Sequence, residues 1–322
     1  MKRFKIPFIV FTITFALLSF VQVKVENPML LAERFFPGAG WIEIFMISVY
    51  GSFISYMMQD PLKVPKWRKI TWTAFSLIFF IQLIIGILFS EKFLMTGKLH
   101  LPIPMMILAG PVFRSQLSVM TILFLSTVIL TGPAWCSQFC YFGAFDNLAA
   151  SGRTSKDSLP HKWTIKWSVL FLVIFSALMF RWMNVPSSIT TLMAVGFGVA
   201  GLVIMLLFSS RKKKMVHCTM YCPVGTIVNI FKNINPFRLY IDRNCTLCMN
   251  CTRYCKYDAL SVKDLKKFNP GAGCTLCGDC IAACHHDSIK YKFLKLSPES
   301  ARNLYLILTI SIHAACMALA RI

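Results

Sequence analysis

Residues 245–255 read CTLCMNCTRYC and residues 274–284 read CTLCGDCIAAC, so the pattern CxxCxxCxxxC occurs twice within forty residues, with eighteen residues between the runs. Three cysteines two residues apart on a looped backbone each reach a different iron of one cubane cluster, while the fourth lies too far along the chain to join them. Zinc sites use two separated CxxC pairs and have no need of the third and fourth cysteines. Two complete runs therefore point to iron–sulfur clusters held by a small α+β domain.

Over residues 238–292 the chain resembles the bacterial two-cluster ferredoxin module. In that module the fourth cysteine of each run ligates the cluster of the other run. The resemblance implies one [4Fe-4S] cluster on Cys245, Cys248, Cys251 and Cys284, and a second on Cys255, Cys274, Cys277 and Cys280. Lys256 and His285 stand where a proline usually follows the fourth cysteine, which predicts altered packing at both positions.

The rest of the chain is of a different kind. Of 322 residues, 56% are hydrophobic and 15% charged, a balance far from that of a soluble protein. Six apolar stretches are long enough to cross a bilayer as helices, at about 6–23, 40–58, 70–90, 116–132, 163–183 and 189–208. A seventh, 304–320, sits at the lower length limit and is expected to span as well. The first stretch follows Lys2, Arg3 and Lys5 but has no small-residue cleavage site, so it reads as a retained anchor and not a signal peptide.

The net charge of +21 raises the question of nucleic acid, and the placement of the charges excludes it. Lys63, Lys66, Arg68 and Lys69 lie between spans two and three, Arg153, Lys156 and Lys162 between four and five, and Arg211 to Lys214 after six. Alternate loops, such as 24–39 and 184–188, carry little net charge. The positive-inside rule then predicts a multi-pass protein of the cytoplasmic (inner) membrane, with the N-terminus and the ferredoxin domain in the cytoplasm and the basic loops against anionic lipid. A thiol-rich domain also belongs on the reducing side. The segment from Leu99, broken by Pro102, Pro104 and Pro111, is too short to span and reads as re-entrant or interfacial, a place for a quinone pocket or a packed loop.

Four of the remaining five cysteines form a second pattern. CSQFCYFGAFDNL from Cys136 and CTMYCPVGTIVNI from Cys218 align at a constant offset of 82 residues, each after a span of the same predicted direction. Hairpins three-four and five-six thus read as parallel repeats about an axis normal to the membrane. Cysteines at i and i+4 share a helix face, so Cys136, Cys140, Cys218 and Cys222 are expected to offer four thiolates at the inner surface for a third iron–sulfur cluster. Buried apolar cysteines, a zinc site and a thiol–disulfide pair are the competing readings. Pro223 follows Cys222 and Tyr141 follows Cys140, which predicts unequal halves. Cys316, with His313, reads as a packing residue of the last helix.

These membrane motifs followed by a two-cluster ferredoxin resemble the NapH/NosR membrane ferredoxins, accessory proteins of periplasmic nitrate and nitrous oxide reductases, from about residue 70 to 292. Cys136, Cys140, Cys218, Cys222 and Pro223 match the membrane motifs, and the eight later cysteines match the ferredoxin. The chain departs from the NosR type in lacking its periplasmic flavin domain, and from the NapH type in its extra spans. The resemblance implies an electron-transfer subunit working with quinol or with other subunits of a redox complex, without a substrate-transforming site of its own. An assembly factor that reduces metal or thiols, and a redox sensor, are the alternatives. The histidines do not pair across spans, which goes against a bis-histidine haem.

The predicted architecture is mainly α, a polytopic membrane helix bundle of six or seven spans carrying the small ferredoxin domain. Its segments are 1–69, an N-terminal hairpin; 70–237, a four-helix domain with the cysteine repeats; 238–292, the ferredoxin; and 293–322, a C-terminal helix.

Overall fold

In a computed structural model the chain is mainly helical, and the structure describes residues 2–94, 103–152 and 158–319. In chain order the helices are α1 (Lys2–Lys24), α2 (Leu31–Phe35), α3 (Gly40–Met58), α4 (Val64–Leu88), α5 (Pro104–Arg114), α6 (Val119–Thr131), α7 (Tyr141–Ala149), α8 (Lys162–Trp182), α9 (Ser187–Ile204), α10 (Ser210–Lys212) and α11 (Pro223–Phe231). The short α12 (Asn250–Tyr254), α13 (Val262–Lys266) and α14 (Asp279–Ala282) lie between two strands, β1 (Phe237–Ile241) and β2 (Ile289–Phe293), and α15 (Pro298–Leu319) closes the chain. Leu99, Pro102, Arg153 and Lys156, named above, lie outside the described residues.

Among the described residues seven helical segments are long and apolar enough to cross a membrane: Arg3–Lys24, Gly40–Met58, Pro61–Leu88, Met120–Phe139, Lys162–Trp182, Ser187–Lys212 and Pro298–Leu319. Their outward faces carry large apolar side chains, with Phe8 70% and Phe171 71% exposed. Surfaces of that kind are unfavourable in water and favourable against lipid. The expected re-entrant segment is in part the eleven-residue α5, which contains Pro111 and packs on α8, α9 and α6.

The chain divides into two compact units, Met1–His100 with Leu296–Ile322, and Leu101–Lys295. In the first, α1, α3 and α15 pack together around Val10, Ile54, Met58, Leu306 and Ile310 at one end and Leu18, Leu30, Ile44, Ala315 and Ala318 at the other. Gly51 permits the closest approach, because a Cβ there would lie 3.2 Å from that of Ala314. Span three, α4, packs against α3 and belongs to this unit. Both cysteine repeats lie in the unit Leu101–Lys295.

The second unit holds both repeats and the ferredoxin segment. β1 and β2 pair antiparallel, Phe237 opposite Phe293 and Ile241 opposite Ile289, and so tie the two ends of the cysteine-rich loops together. Phe237, Leu239 and Ile241 are buried and alternate with half-exposed Arg238 and Tyr240, the period-two pattern of a strand covered on one face. Gly132 ends α6 at φ +64°, where a Cβ would lie 2.9 Å from the Asn235 side chain; that side chain donates to the Ile129 carbonyl at 2.7 Å.

Candidate iron–sulfur sites

The two ferredoxin runs fold alike, residue for residue, at an offset of 29. Leu247 and Leu276, Met249 and Gly278, and Asp258 and Asp287 all adopt positive φ, and the first four lie between 57° and 84°. Alternating left- and right-handed residues turn successive backbone N–H groups into one concavity, a surface suited to an anionic cluster. The amide of Ala259 donates to the Cys255 Sγ at 3.2 Å, and that of Ser288 to the Cys284 Sγ at 3.4 Å. Left-handed leucines cost strain, which persists only where the surroundings impose it.

A cavity of about 340 Å³ has Cys255, Cys274, Cys277 and Cys280 in its wall, with Leu239, Tyr257, Leu260 and Thr275. The other four cysteines gather around Cys251. Burial pushes the Cys251 thiol up to about 12, and charges on Cys284, Cys245 and Cys248 add to that effect ahead of its own run's Cys255. The fold thus brings each fourth cysteine to the other run's triplet. Cys248 is the exposed member of the eight.

The membrane-side motifs differ from the expected helix face. Trp135–Phe139 and His217–Tyr221 are single π-helical turns, closed by Cys140 N–H to the Trp135 carbonyl at 3.0 Å and Cys222 N–H to the His217 carbonyl at 2.8 Å. Cys140 (φ −77°, ψ 120°) and Cys222 (φ −73°, ψ 116°) then leave the helix and precede α7 and α11. Cys222 is driven there because a residue before proline is excluded from helical geometry. Cys140 takes the same conformation before Tyr141, so the expected inequality of the halves is corrected at the backbone. Each of these two thiols faces the first turn of the helix it precedes; burial raises its pKa, and the amides of Phe142 and Gly143, or of Val224 and Gly225, offset part of that rise.

All four cysteines come together. Burial pushes Cys140 up to about 12, and the neighbouring Cys222 adds to this; Cys218 is raised further by burial, then by Asp146, Cys222, Cys140 and Cys136. Thiols so placed cannot ionise together without a positive centre among them. Among the described residues no three His, Cys, Asp or Glu side chains are gathered tightly enough for a single ion. Four thiols drawn from two short motifs are the donor set that a four-iron cluster takes.

The surroundings fit that group. A cavity of about 360 Å³ is lined by Cys136 and Cys218 together with Lys166, Thr219, Asn229 and Thr275. The Thr219 and Thr275 hydroxyls and the Asn229 amide nitrogen are buried without a hydrogen-bond partner. Buried donors of this sort call for acceptors, and the sulfides of a cluster are acceptors. Asp146, fully buried, accepts the Cys218 N–H at 2.9 Å, and burial raises its pKa to about 6.

The lysine that stands in place of a proline at 256 now has a physical reason. Lys256 donates to the Asn147 side-chain oxygen at 3.1 Å, and its carbonyl accepts the Met215 N–H at 2.9 Å. Tyr257 donates its hydroxyl to the Cys136 carbonyl at 2.5 Å. Asp258, almost buried, pairs with Lys162 at 2.8 Å and Lys214 at 3.4 Å. Lys256, Tyr257 and Asp258 thus seat the ferredoxin segment on the repeats. A proline at 256 would keep its carbonyl but lose the amine. Asp146, Lys166, Tyr257 and Asp258 carried no signal in the sequence beyond following or preceding a cysteine motif. Of the basic residues near the first run, Lys256 and Arg238 are engaged inside the chain, Arg238 with the carbonyls of Asn233, Asn235 and Phe237, while Arg243 and Arg253 are exposed.

Cys316 is buried in α15 in the first unit, where the neighbouring His313 meets the Tyr50 hydroxyl at 3.1 Å. His217 is buried against Phe142 and Tyr221, and burial lowers its pKa to about 3.

Comparison with known proteins finds similarity over the repeats. A family described as a 4Fe-4S binding domain matches residues 116–159 and again 191–235, once over each CxxxC motif. An uncharacterised protein of Methanocaldococcus jannaschii is 27% identical over 128 residues, 39% of this chain and 52% of that protein. The chain thus spans about half the length of the curated relative it matches. No solved structure matches it. The family match on the repeats, together with the duplicated cysteine runs, supports an iron–sulfur, ferredoxin-like protein.

Proposed function

We propose that this protein is a membrane-anchored electron relay with three [4Fe-4S] clusters. Cys136, Cys140, Cys218 and Cys222 hold the first, Cys255, Cys274, Cys277 and Cys280 the second, and Cys245, Cys248, Cys251 and Cys284 the third. When bound, these clusters supply one-electron transfer. The repeats lie at the inner membrane surface with the ferredoxin domain in the cytoplasm, and quinol or a membrane partner subunit exchanges electrons at the repeat end.

The observation that carries the reading is a shared wall. Tyr257 and Thr275 line both the cavity at Cys136 and Cys218 and the cavity at Cys255, Cys274, Cys277 and Cys280. Tyr257 is bonded to the backbone of Cys136 and lies two residues from Cys255; Thr275 is adjacent to Cys274 and its carbonyl accepts the Ser137 hydroxyl at 3.2 Å. Tyr257 and Thr275 thus border both the membrane-side set and the nearer ferredoxin set. Cys248, exposed at the far set, gives a soluble or peripheral partner access. The NapH/NosR resemblance gives the same role, with a respiratory reductase as the complex served.

The full-length protein in nanodiscs, poised with a membrane-side electron donor, tests this. Replacing Cys218 and Cys222 by Ala is expected to abolish reduction of the ferredoxin clusters by that donor while their electron paramagnetic resonance signals persist under dithionite. Unchanged reduction by the donor contradicts the relay.

A further inference from the structure

Lys166 is buried in α8 one turn inside a candidate membrane span, with 5% of its surface exposed. Ionisable groups at such positions are expensive and are kept for a purpose. Among the described residues it makes no salt bridge; Asp258 pairs with Lys162 and Lys214, and one carboxylate oxygen of Asp146 accepts the Cys218 amide. Lys214, equally buried, has Asp258 as its counter-charge. The Lys166 amine is instead 3.5 Å from the Cβ position of Gly225, sits 5.8 Å from the Trp163 ring centre, and interacts electrostatically with Cys136, Cys222 and Cys218.

We infer that Lys166 is the counter-charge of the membrane-side cluster and raises its reduction potential selectively, by stabilising the added electron across a site from which water is largely excluded. The inference rests on the proposed cluster at the four membrane-side cysteines. A buried cation needs a nearby anion, and the thiolates with the group they hold are the anions within reach. Reduction adds one negative charge to that site, and a fixed positive charge in a low-dielectric surround favours the reduced form. Cluster potentials respond to net charge, hydrogen bonds to sulfur and exposure, and at this site Lys166 provides the first.

The test is a redox titration of anaerobically purified full-length protein in detergent, followed by electron paramagnetic resonance, with iron and sulfide assayed on the same samples. Lys166→Met is expected to lower the midpoint of one centre of three by at least tenfold in the oxidised-to-reduced ratio, about 59 mV for one electron, and to leave the other two unmoved. Lys166→Arg is expected to stay near the parent. If Lys166→Met loses the centre, Lys166→Gln, which keeps a donor and removes the charge, replaces it with the same expectation. Three intact centres with unmoved midpoints overturn the inference, as does an equal shift in Lys166→Arg. A parent protein with two centres overturns the proposed membrane-side cluster itself, and so is distinguishable from failure of the charge argument.

Discussion

The two cysteine repeats reach one backbone by different means. In the second, Pro223 forbids helical geometry at Cys222; in the first, Tyr141 imposes no such rule, yet Cys140 differs from Cys222 by only a few degrees in each dihedral. The π turn before each and the helix start after each are common to both. What they share is therefore the demand of the site, and what differs is decoration. Asp146 of the first copy aligns with Val228 of the second and binds the second copy's Cys218 amide, and Trp135 aligns with His217. In the proposed function neither copy makes a site alone: each supplies two thiols, and the first copy's carboxylate accepts from the second copy's Cys218 amide.

The largest expected effect breaks the copies one at a time. Cys136 and Cys140 replaced together by Ala, or Cys218 and Cys222 replaced together, should each remove the same spectroscopic centre and about a third of the iron and sulfide. Different centres lost in the two variants would mean that the copies act separately. Removing the cross-copy carboxylate comes next. Asp146→Ala leaves the Cys218 amide buried without its acceptor and should cost about 1–3 kcal/mol in denaturant unfolding, whereas Asp146→Asn, which retains an acceptor, should recover most of it. Tyr257→Phe deletes the bond to the Cys136 carbonyl and should cost about 1 kcal/mol, with slower transfer between the membrane-side and nearer ferredoxin sets. Smallest is Pro223→Ala: because Cys140 holds the same turn without a following proline, the loss should be under about 1 kcal/mol, chiefly through a freer unfolded chain.

Much of this was legible from residues alone. The cysteine runs, the CxxxC repeat at an offset of 82 and the apolar stretches are local patterns, and each has its counterpart in the fold. The conformation of Cys222 was half legible, since Pro223 announces a restart; that of Cys140 was not, because no residue beside it requires the turn. Asp146, Tyr257 and Lys166 were invisible for a plain reason. Asp146 meets Cys218 across 72 residues and Tyr257 meets Cys136 across 121, and a short motif carries no information at such separations. Lys256 was noticed as a departure from the ferredoxin pattern, and its contact with Asn147 gives that departure a physical cause.

The central claim is that the two repeats together hold one cluster beyond the pair in the ferredoxin segment. Mössbauer spectroscopy with iron and acid-labile sulfide analysis on anaerobically purified full-length protein measures this directly. Three [4Fe-4S] clusters per chain are predicted; two clusters, with the membrane-side thiols free to alkylating reagents, would contradict the account.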